Sequence, residues 1–291
     1  MLAQKTLHIT DSDLDGAGAV VLSEACGIHY NKVIISNPYM INSDEMVAIA
    51  MEFDKIIVTD LSFSENVLNQ LLAAGKTVFI YDHHKTSEYL NKYPNCMSDA
   101  LRCGTRLYFE EVICNDSTVV ATEIMHKFVE LVDTYDRWQS DSEHWSDACD
   151  LNKIFRFCSR VPSVFIKKYV DKLKHNELTY DDDDKMALRC TATRINQARE
   201  YADTNMKTHE VCGVRAGITR HKGFCSEVGS TLIKKYNLAY IILINAKYAG
   251  QASVRSAPDF DCTTLKGFNG HKNAAGGKFE PSYLDDLYVN W

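Results

Sequence analysis

The stretch Thr77-Val78-Phe79-Ile80-Tyr81-Asp82-His83-His84 indicates the fold, because a buried-type apolar run ends abruptly in one carboxylic acid and two imidazoles. Two earlier apolar runs also end in acidic residues. Residues 7–10 precede Asp11-Ser12-Asp13-Leu14-Asp15-Gly16, and residues 56–59 precede Asp60. In open α/β sheets, ligands bind in the crevice outside the carboxyl ends of the strands. The sequence therefore predicts that these side chains gather at one edge of a sheet and hold divalent metal ions.

The first 85 residues alternate short apolar runs with amphipathic segments. The runs at 5–10, 32–36, 55–59 and 77–81 are typical of buried strands, and the segments at 16–25 and 43–51 are typical of helices. A third helix ends at Gly75, and Ser62 with Glu65 forms a candidate capping box at its start. Short strands that alternate with helices predict an α/β fold, with a mostly parallel sheet wrapped by helices.

The rest of the chain predicts a helical linker and a second, smaller α/β domain. Helical spacing occurs at 104–114, at 119–133 with Ser117 as cap, at 163–174 and at 186–208. The run from Asp181 to Asp184 predicts a solvated loop, since like charges repel inside packed elements. A helix at 226–236 and strands at 211–219, 238–245 and 251–255 follow. We therefore expect domains at 1–150 and 209–291, joined by 151–208.

Composition narrows the class of protein. The 291 residues carry a formal net charge of -7, which argues against a protein that coats duplex nucleic acid, because such a protein needs a basic surface. Ten cysteines without a C-x-x-C pair indicate free thiols in a reducing compartment. The N-terminus has no apolar stretch long enough for a signal peptide, and no run approaches a membrane span. We expect a cytoplasmic protein without membrane contact.

Each acidic motif has an alternative interpretation when it is taken alone. The string at 11–16 is also compatible with a solvated turn or a calcium loop, although Leu22 replaces the glutamate that such a loop needs six residues after its glycine. Asp60 alone would be a helix cap, and His83 with His84 could be loop histidines. The joint occurrence at three strand ends favours a metal site, because crowded carboxylates repel one another unless a cation neutralises them.

Two further carboxylates follow an apolar helical pattern at 131–138. Asp133 is the candidate for an additional metal ligand, because a second ion needs more anionic donors. Asp136 is the reserve candidate, and its alternative role is to pair with Arg137 or another cation.

The order of these motifs resembles that of the DHH phosphoesterase superfamily, which is named for a triplet such as Asp82-His83-His84. Residues 253–256 and 270–276 resemble the DHH-associated domain that binds substrate in this superfamily. Together the two resemblances cover nearly the whole chain. The pattern is most similar to the branch of short-oligoribonucleases and nucleotide phosphodiesterases.

The resemblance implies two divalent metal ions, usually manganese, with magnesium or cobalt as alternatives. Asp13 would hold one ion, Asp15 and His83 the other, and Asp60 both, while Asp133 would complete the second site. Asp11 stands where many members have a histidine, and it is carried as a further ligand. A pair of ions can activate a shared water to hydroxide and stabilise an in-line displacement at phosphorus.

The resemblance also implies catalytic and substrate-binding roles. His84 would contact a phosphate oxygen or protonate the leaving group, Asp82 would orient a histidine, and Arg255 and His271 would act on the phosphate. The expected substrate-binding residues are Ser253, Arg255, Phe268, Gly270, His271, Asn273 and Gly276. Phe268 has two alternatives, stacking on a base or filling the core.

The expected function is a metal-dependent phosphodiesterase or exonuclease that trims short single-stranded RNA or DNA oligonucleotides to mononucleotides. Cyclic nucleotides, cyclic dinucleotides or nucleoside bisphosphates are alternative substrates. A nucleotide-binding sensor without turnover is the alternative that involves no catalysis.

Overall fold

The protein is described by a computed structural model that covers residues 4–211, 213–248 and 250–279. It divides into two compact units, residues 1–189 and residues 190–291. The segment 151–208, which the sequence sets apart as a linker, is shared between these units. The domain boundaries near residues 150 and 208 stay a prediction about separately folding parts of the chain.

The first unit contains a parallel sheet of five strands. They are β1 (Thr6–Asp11), β2 (Lys32–Ser36), β3 (Lys55–Thr59), β4 (Thr77–Asp82) and β5 (Cys96–Ser98). Their order is β2-β1-β3-β4-β5, and every neighbouring pair is parallel. The order of the strands reverses between β1 and β3, and such a switch point is where doubly wound sheets bind ligands. The predicted parallel α/β sheet is therefore confirmed.

Among the described residues, seven α-helices start in this unit before residue 175. They are α1 (Leu14–Ala25), α2 (Asp44–Met51), α3 (Glu65–Ala73), α4 (Gly104–Tyr108), α5 (Glu123–Asp136), α6 (Trp145–Cys158) and α7 (Pro162–Lys174). Two predicted caps are wrong. Ser64, not Ser62, caps α3, and Thr122, not Ser117, caps α5, because these side chains accept the N–H groups of Val67 and Met125. A π-helical segment, Phe109–Ile113, continues α4.

The sheet of the first unit packs helices on both faces, as the alternation along its strands requires. Leu7, Ile9, Ile56 and Val58 pack with buried residues of α2 and α3. On the other face, Ile57 packs within a cluster built from α1 and α4 to α7. The apolar core therefore leaves the carboxyl ends of β1, β3 and β4 as the polar edge of the unit.

The second unit contains a mixed sheet of six strands. They are β6 (Lys207–Val211), β7 (Val214–His221), β8 (Tyr240–Asn245), β9 (Gln251–Ser256), β10 (Phe268–His271) and β11 (Ala274–Lys278), in the order β10-β11-β9-β8-β7-β6. Only the β7–β8 pair is parallel among these strands, and α9 (Cys225–Tyr236) connects it. The predicted second α/β unit is confirmed. The predicted strand at 211–219 is two strands, which turn at Gly213 with φ 78°.

The aspartate run at 181–184 is not the solvated loop that the sequence predicts. Residues 182–184 form the first turn of α8 (Asp182–Thr204), where the helix dipole favours acidic side chains. Asp184 is 1% exposed, and its two oxygens lie 2.7 Å from Lys168 Nζ and 2.9 Å from Lys172 Nζ. Two lysines of α7 thus offset the repulsion within the run. No helix in the described ranges is both long and apolar enough to cross a membrane.

Candidate metal centre

The turn from β1 to α1 brings three carboxylates into five residues. Asp11 ends β1, Asp13 caps α1 by accepting the N–H of Gly16 at 3.0 Å, and Asp15 lies in the first helical turn. The turn is so tight that a Cβ on Gly16 would lie 2.2 Å from the carbonyl oxygen of Asp11. Glycine is therefore required at this position, so the last residue of the string Asp-x-Asp-x-Asp-Gly has a direct steric reason.

Asp15 is held by the start of α4. Its two oxygens accept the N–H groups of Gly104 at 2.6 Å and Thr105 at 2.7 Å, and the residue is 1% exposed. A Cβ on Gly104 would lie 2.8 Å from both Cβ and the backbone nitrogen of Asp60. Gly104 therefore allows the backbone of α4 to approach Asp60 closely, a role that sequence reasoning did not assign.

Asp60 follows β3 directly and adopts an uncommon backbone conformation, with φ 57°. It is 1% exposed, and its Oδ1 lies 3.2 Å from His83 Nε2. Its Oδ2 is buried and has no hydrogen-bond partner among the described residues. A buried, unpaired carboxylate oxygen is costly unless it has an electropositive partner.

His83 lies at the centre of the acidic side chains. Its Nε2 is 3.7 Å from Asp15 Oδ2, 3.2 Å from Asp60 Oδ1 and 3.3 Å from Asp136 Oδ2. The imidazole is 2% exposed, and this burial is the largest of the effects that together lower its pKa. The neutral form is the one that ligates metal ions.

Asp82 connects the other two members of the triplet. Its Oδ1 accepts the backbone N–H of His83 at 2.8 Å and lies 2.7 Å from His84 Nδ1. Burial works to raise the pKa of Asp82, but the charge of His84 and its hydrogen bonds outweigh burial and lower it. Burial works to lower the pKa of His84, but Asp82 raises it to about 9. This contact is the one expected of a residue that orients a histidine.

The carboxylates around Asp60 repel one another. Burial, followed by the charges of Asp13, Asp15, Asp11 and Asp136, raises the pKa of Asp60 well above its usual value. Burial and the charge of Asp13 raise the pKa of Asp11 to about 7. Within the described ranges, no lysine or arginine forms an ion pair with Asp11, Asp13, Asp15, Asp60 or Asp136. Among the described side chains, protonated His84 offsets part of this negative charge, and the remainder favours a bound cation.

Within the first unit, three overlapping groups of donors could hold such cations. Asp15, Asp60 and His83 form one, Asp11, Asp13 and Asp60 a second, and Asp60, Asp82 and His84 a third, with the ligand atoms of each group within 4.8 Å of one another. Asp60 belongs to all of them. Carboxylates combined with imidazole suit divalent metal ions such as Mn²⁺, Mg²⁺, Co²⁺ or Zn²⁺. The residues present thus fit a divalent metal centre.

The positions of Asp133 and Asp136 favour the reserve candidate. Asp133 Oδ1 accepts the N–H of Cys103 at 2.7 Å, and Oδ2 lies 3.3 Å from Arg137 Nη1. Asp136 Oδ2 lies 3.3 Å from His83 and has no hydrogen-bond partner in the described part of the chain. Sequence reasoning prefers Asp133, but both residues follow the same apolar pattern, and that pattern does not distinguish them. It does not show that the cationic partners of Asp133 are arginines of its own unit.

Buried hydroxyl groups form hydrogen bonds at the carboxyl ends of β1 and β3. Thr10 Oγ1 donates to the carbonyl of Gly16 at 2.9 Å, and Thr59 Oγ1 donates to Thr10 Oγ1 at 2.8 Å. His8 Nε2 lies 2.9 Å from Thr59 Oγ1, and burial lowers the pKa of His8 to about 3. Sequence reasoning missed these residues, although polar residues inside otherwise apolar strands are their signal.

In the second unit, four of the predicted substrate-binding residues share one face of the sheet. Register pairs His271 with Ala274 and Ala274 with Arg255, while Gly276 pairs with Ser253. A Cβ on Gly276 would have open space, so the backbone is accessible there. This face of β9 to β11 therefore presents Ser253, Arg255, His271 and the backbone at Gly276 together.

The other predicted substrate-binding residues have structural contacts. Phe268 is 5% exposed and packs in the core of its unit, so the core alternative is the one that its burial favours. Gly270 has φ 141°, and a Cβ there would lie 2.7 Å from the carbonyl oxygen of Ala274. The Asn273 amide donates to Ser256 Oγ and to the carbonyl of Ala257, both at 2.8 Å.

Comparison with known proteins shows what this chain is similar to. No protein-family model matches the chain. The chain is 28% identical, over 302 residues, to oligoribonuclease NrnB of Bacillus subtilis (strain 168), covering 95% of this chain and 72% of that protein.

Two solved structures share the fold. The DHH domain of a member of a ribosomal-protein family matches with a TM-score of 0.68 and 13% identity, over 98% of this chain and 85% of that one. The pGpG-specific phosphodiesterase PggH of Vibrio cholerae matches with a TM-score of 0.59 and 14% identity, over 98% and 96%. The chain therefore shares the fold of these two structures, and its Asp-His-His triplet with acidic partners at the strand ends resembles the pattern of the DHH phosphoesterase superfamily.

Proposed function

We propose that this protein is a divalent-metal-dependent phosphodiesterase that hydrolyses short single-stranded oligonucleotides to mononucleotides. Similarity to an oligoribonuclease over 95% of the chain supports the substrate class. The observation that carries the proposal is Asp60, a buried carboxylate with one unpartnered oxygen among four other carboxylates and His83. Such an arrangement is unfavourable without cations and favourable with them.

The assignment of metal ligands follows the donor groups. Asp60 lies in all three groups of the first unit and would be a ligand in each of them; Asp11 and Asp13 would join it in one group, and Asp15 and His83 in another. We propose Asp136 in place of Asp133 as the further ligand, since the carboxylate of Asp133 is already engaged by Cys103, Arg106 and Arg137. Two divalent ions supply an activated water and stabilise charge on the phosphate. Manganese is our first choice of metal.

His84 is the proposed proton carrier. Its Nδ1 is fixed by Asp82 at 2.7 Å, so Nε2 is the nitrogen that we assign to the substrate. With its pKa raised to about 9, the imidazole carries a proton at neutral pH. A protonated imidazole can hydrogen-bond a phosphate oxygen and donate a proton to the leaving oxygen. Asp82 then acts by holding the ring in this orientation.

We propose that the second unit binds the substrate phosphate and the parts of the substrate next to it. Arg255 offers a planar, always charged group that binds phosphate bidentately, and Ser253 and His271 on the same face add hydrogen bonds. The open backbone at Gly276 permits a close approach of the substrate. We remove Phe268, Gly270 and Asn273 from the binding set, because Phe268 is buried in the core, Gly270 lies against the backbone of Ala274, and the Asn273 amide already donates to Ser256 and Ala257.

The test is the release of mononucleotides from end-labelled oligonucleotides of two to five residues, with manganese present or chelated. We expect hydrolysis that requires the metal and is lost in His83→Ala. His175→Ala is the matched control, because its side chain is 68% exposed and lies at the end of α7, outside the acidic site. No release above the His83→Ala background would refute the proposal.

The same assay separates the alternative substrates. Cyclic mononucleotides, cyclic dinucleotides and nucleoside bisphosphates are offered beside the dinucleotides, and the ranking of kcat/KM identifies the preferred class. Tight nucleotide binding in calorimetry without any turnover in excess manganese would favour the sensor instead. Metal analysis of the purified protein checks the proposed pair of ions.

A further inference from the structure

The second unit contains a thiol and an imidazole in contact. Cys225 is the first residue of α9, and its Sγ lies 3.3 Å from His221 Nδ1. His221 ends β7 and is 5% exposed. The turn between them uses two residues with positive φ, Gly223 at 103° and Phe224 at 54°. This backbone is uncommon for phenylalanine, and it directs the start of α9 back onto the end of β7.

The thiol lies at the N-terminus of α9, and Arg255 contacts the next residue of this helix. The N-terminus of a helix carries a partial positive charge, which favours an anionic group there. Arg255 donates from Nε and Nη2 to Ser226 Oγ at 3.2 and 3.1 Å. The absence of a side chain at Gly229 allows the stem of Arg255 to cross the helix, since a Cβ there would lie 2.8 Å from Arg255 Cβ.

These surroundings distinguish Cys225 from other cysteines of the chain. Burial works to raise its pKa, but the hydrogen bond with His221 and the charge of Arg255 outweigh burial and lower it. Burial raises the pKa of Cys26 and of Cys96 to about 11, and it also raises the pKa values of Cys114, Cys158 and Cys262. The thiolate is the nucleophile in thiol chemistry, so Cys225 has the favourable microenvironment.

We propose that Cys225 is a modification site, at which the Cys225–His221 pair reacts with small anionic disulfides. His221 Nδ1 also accepts the backbone N–H of Gly223 at 3.0 Å, so the Cys225 proton passes to Nε2, which lies 3.6 Å from Sγ, or to water. The thiolate sulfur then attacks one sulfur of the disulfide. A new S–S bond joins Cys225 to that half, the original S–S bond breaks, and the other half leaves as a thiolate. Cys225 is oxidised and the small disulfide is reduced, so no other oxidant is needed. Arg255 favours a reagent that carries carboxylates.

An adduct on Cys225 would lie close to residues that we propose to bind the substrate, so it should affect substrate binding. This step rests on the proposed function. Arg255 donates to Ser226, the residue after Cys225, and Arg255 and Ser253 are both proposed to bind the substrate phosphate. A bulky anionic adduct on Cys225 would pair with Arg255 and cover this face. We therefore expect S-thiolation to inhibit hydrolysis reversibly.

The test uses the full-length protein and less than one equivalent of 5,5′-dithiobis(2-nitrobenzoate), followed by peptide mapping by mass spectrometry. Cys190 and Cys114 are exposed and are the internal controls, because exposure alone would make them react first. We expect Cys225 to react at least about tenfold faster than either, since the rate follows the thiolate fraction. A fast phase that maps to any other cysteine, including Cys212 outside the described residues, would overturn the proposal.

Two further measurements separate the parts of this inference. His221→Gln should slow the labelling of Cys225 by about tenfold, and an unchanged rate in the folded variant would contradict the role of the pair. In the unmodified chain, an anionic aromatic disulfide should react faster than a neutral dipyridyl disulfide, and equal rates would contradict the part assigned to Arg255. This comparison needs no variant.

Activity is measured last, on protein labelled at Cys225 alone. Lost hydrolysis that a reductant restores supports the effect on substrate binding, and full activity of the labelled protein contradicts that effect alone. If the unlabelled protein hydrolyses no nucleotide, the proposed function fails, while the labelling result still decides the modification site.

Discussion

Two clusters of aspartates in the first unit differ in what balances their charge. In the lysine-paired cluster, Asp181 and Asp184 contact Lys168 and Lys172, and both oxygens of the buried Asp184 are paired. In the acidic site, which consists of Asp11, Asp13, Asp15, Asp60 and Asp136, the described chain supplies no lysine or arginine partner. Both clusters are rich in aspartate, yet only the first is neutralised by side chains of the described residues.

The comparison shows that the partners of an acidic cluster decide its role. Breaking a buried ion pair leaves an uncompensated charge and destabilises the fold. A cluster without cationic partners is already destabilising in the absence of metal, and removing one carboxylate from it relieves repulsion. The same substitution should therefore have opposite effects on stability at the two places.

The largest effect is expected for Asp60→Asn. The variant should lose at least about 10³-fold in activity, because a ligand shared by both ions contributes several kcal/mol to transition-state stabilisation. In chelator, the variant should unfold at a higher temperature than the unsubstituted protein, since a buried carboxylate that faces four others is replaced by a neutral amide. Oligonucleotide hydrolysis and thermal unfolding in chelator and in manganese measure both effects.

Asp44→Asn is the matched control for Asp60→Asn. Asp44 lies in the first turn of α2, outside the acidic site, and the variant should keep its activity and its response to manganese. Asp60→Asn could instead lower the unfolding temperature by the same amount in chelator and in manganese. That result would show that Asp60 is a structural residue.

The next effect is expected for Asp184→Asn, which tests the lysine-paired cluster. Removal of this charge leaves Lys168 and Lys172 without their buried partner, and the free energy of unfolding should fall by about 3 kcal/mol. The value lies at the low end for buried ion pairs because Lys168 is 26% exposed and can reach water. Urea unfolding in the presence of manganese measures the change.

Activity per folded molecule of Asp184→Asn should stay unchanged. Lys185→Ala is the control, since Lys185 pairs with the fully exposed Asp182 and surface pairs contribute about 0–1 kcal/mol. If the free energy of unfolding falls by less than about 1 kcal/mol in Asp184→Asn, the lysines do not stabilise this cluster as we propose.

A smaller effect separates Asp136 from Asp133. Asp136→Asn should weaken manganese binding by about 10- to 100-fold, and it should relieve repulsion in chelator as Asp60→Asn does. Asp133→Asn should instead destabilise the protein with and without metal, because it removes the buried carboxylate that Arg106 and Arg137 share, although Arg106 keeps its pair with Glu130. Calorimetric titration with manganese ranks the two. Weaker binding in Asp133→Asn than in Asp136→Asn would reverse our assignment.

The sequence predicted the architecture well because local signals agreed with one another. The strands β2 and β3 match their predicted bounds, since β-branched apolar runs end at turn residues on both sides. Strand β5 was missed because it has only three residues, and α6 because its polar composition hides its amphipathic face. Caps were misassigned where several hydroxyl residues stand close together.

The acidic site was predictable only in part. Asp11, Asp15, Asp60 and His83 follow apolar runs, so the parallel sheet alone brings them together. The choice between Asp133 and Asp136 depends on which side of α5 faces Arg106, and the solvated-loop prediction for Asp184 failed because Lys168 and Lys172 come from another helix. Contacts between distant segments leave no local pattern in a sequence.

The smallest effect is a difference in pH dependence between the two clusters. Burial and the charge of Asp13 raise the pKa of Asp11 from an ordinary 3.8 to about 7, so ionisation of Asp11 costs stability as the pH rises between these values. In chelator, Asp11→Asn should therefore gain stability over the unsubstituted protein from about pH 4 to about pH 7. Manganese should abolish or reverse that gain.

Asp181 should behave in the opposite way. Burial works to raise its pKa, but the hydrogen bond from Lys168 outweighs burial and lowers it from 3.8 to about 2, so its contribution is present above pH 3.8 and is lost as the pH falls toward 2. Asp181→Asn should be slightly less stable than the unsubstituted protein above that range and equal to it below. Each variant is compared with the unsubstituted protein at the same pH. Burial lowers the pKa of His8 to about 3, so the stability of the unsubstituted protein also depends on pH through His8. Parallel curves for Asp11→Asn and Asp181→Asn in chelator would contradict the distinction between the clusters.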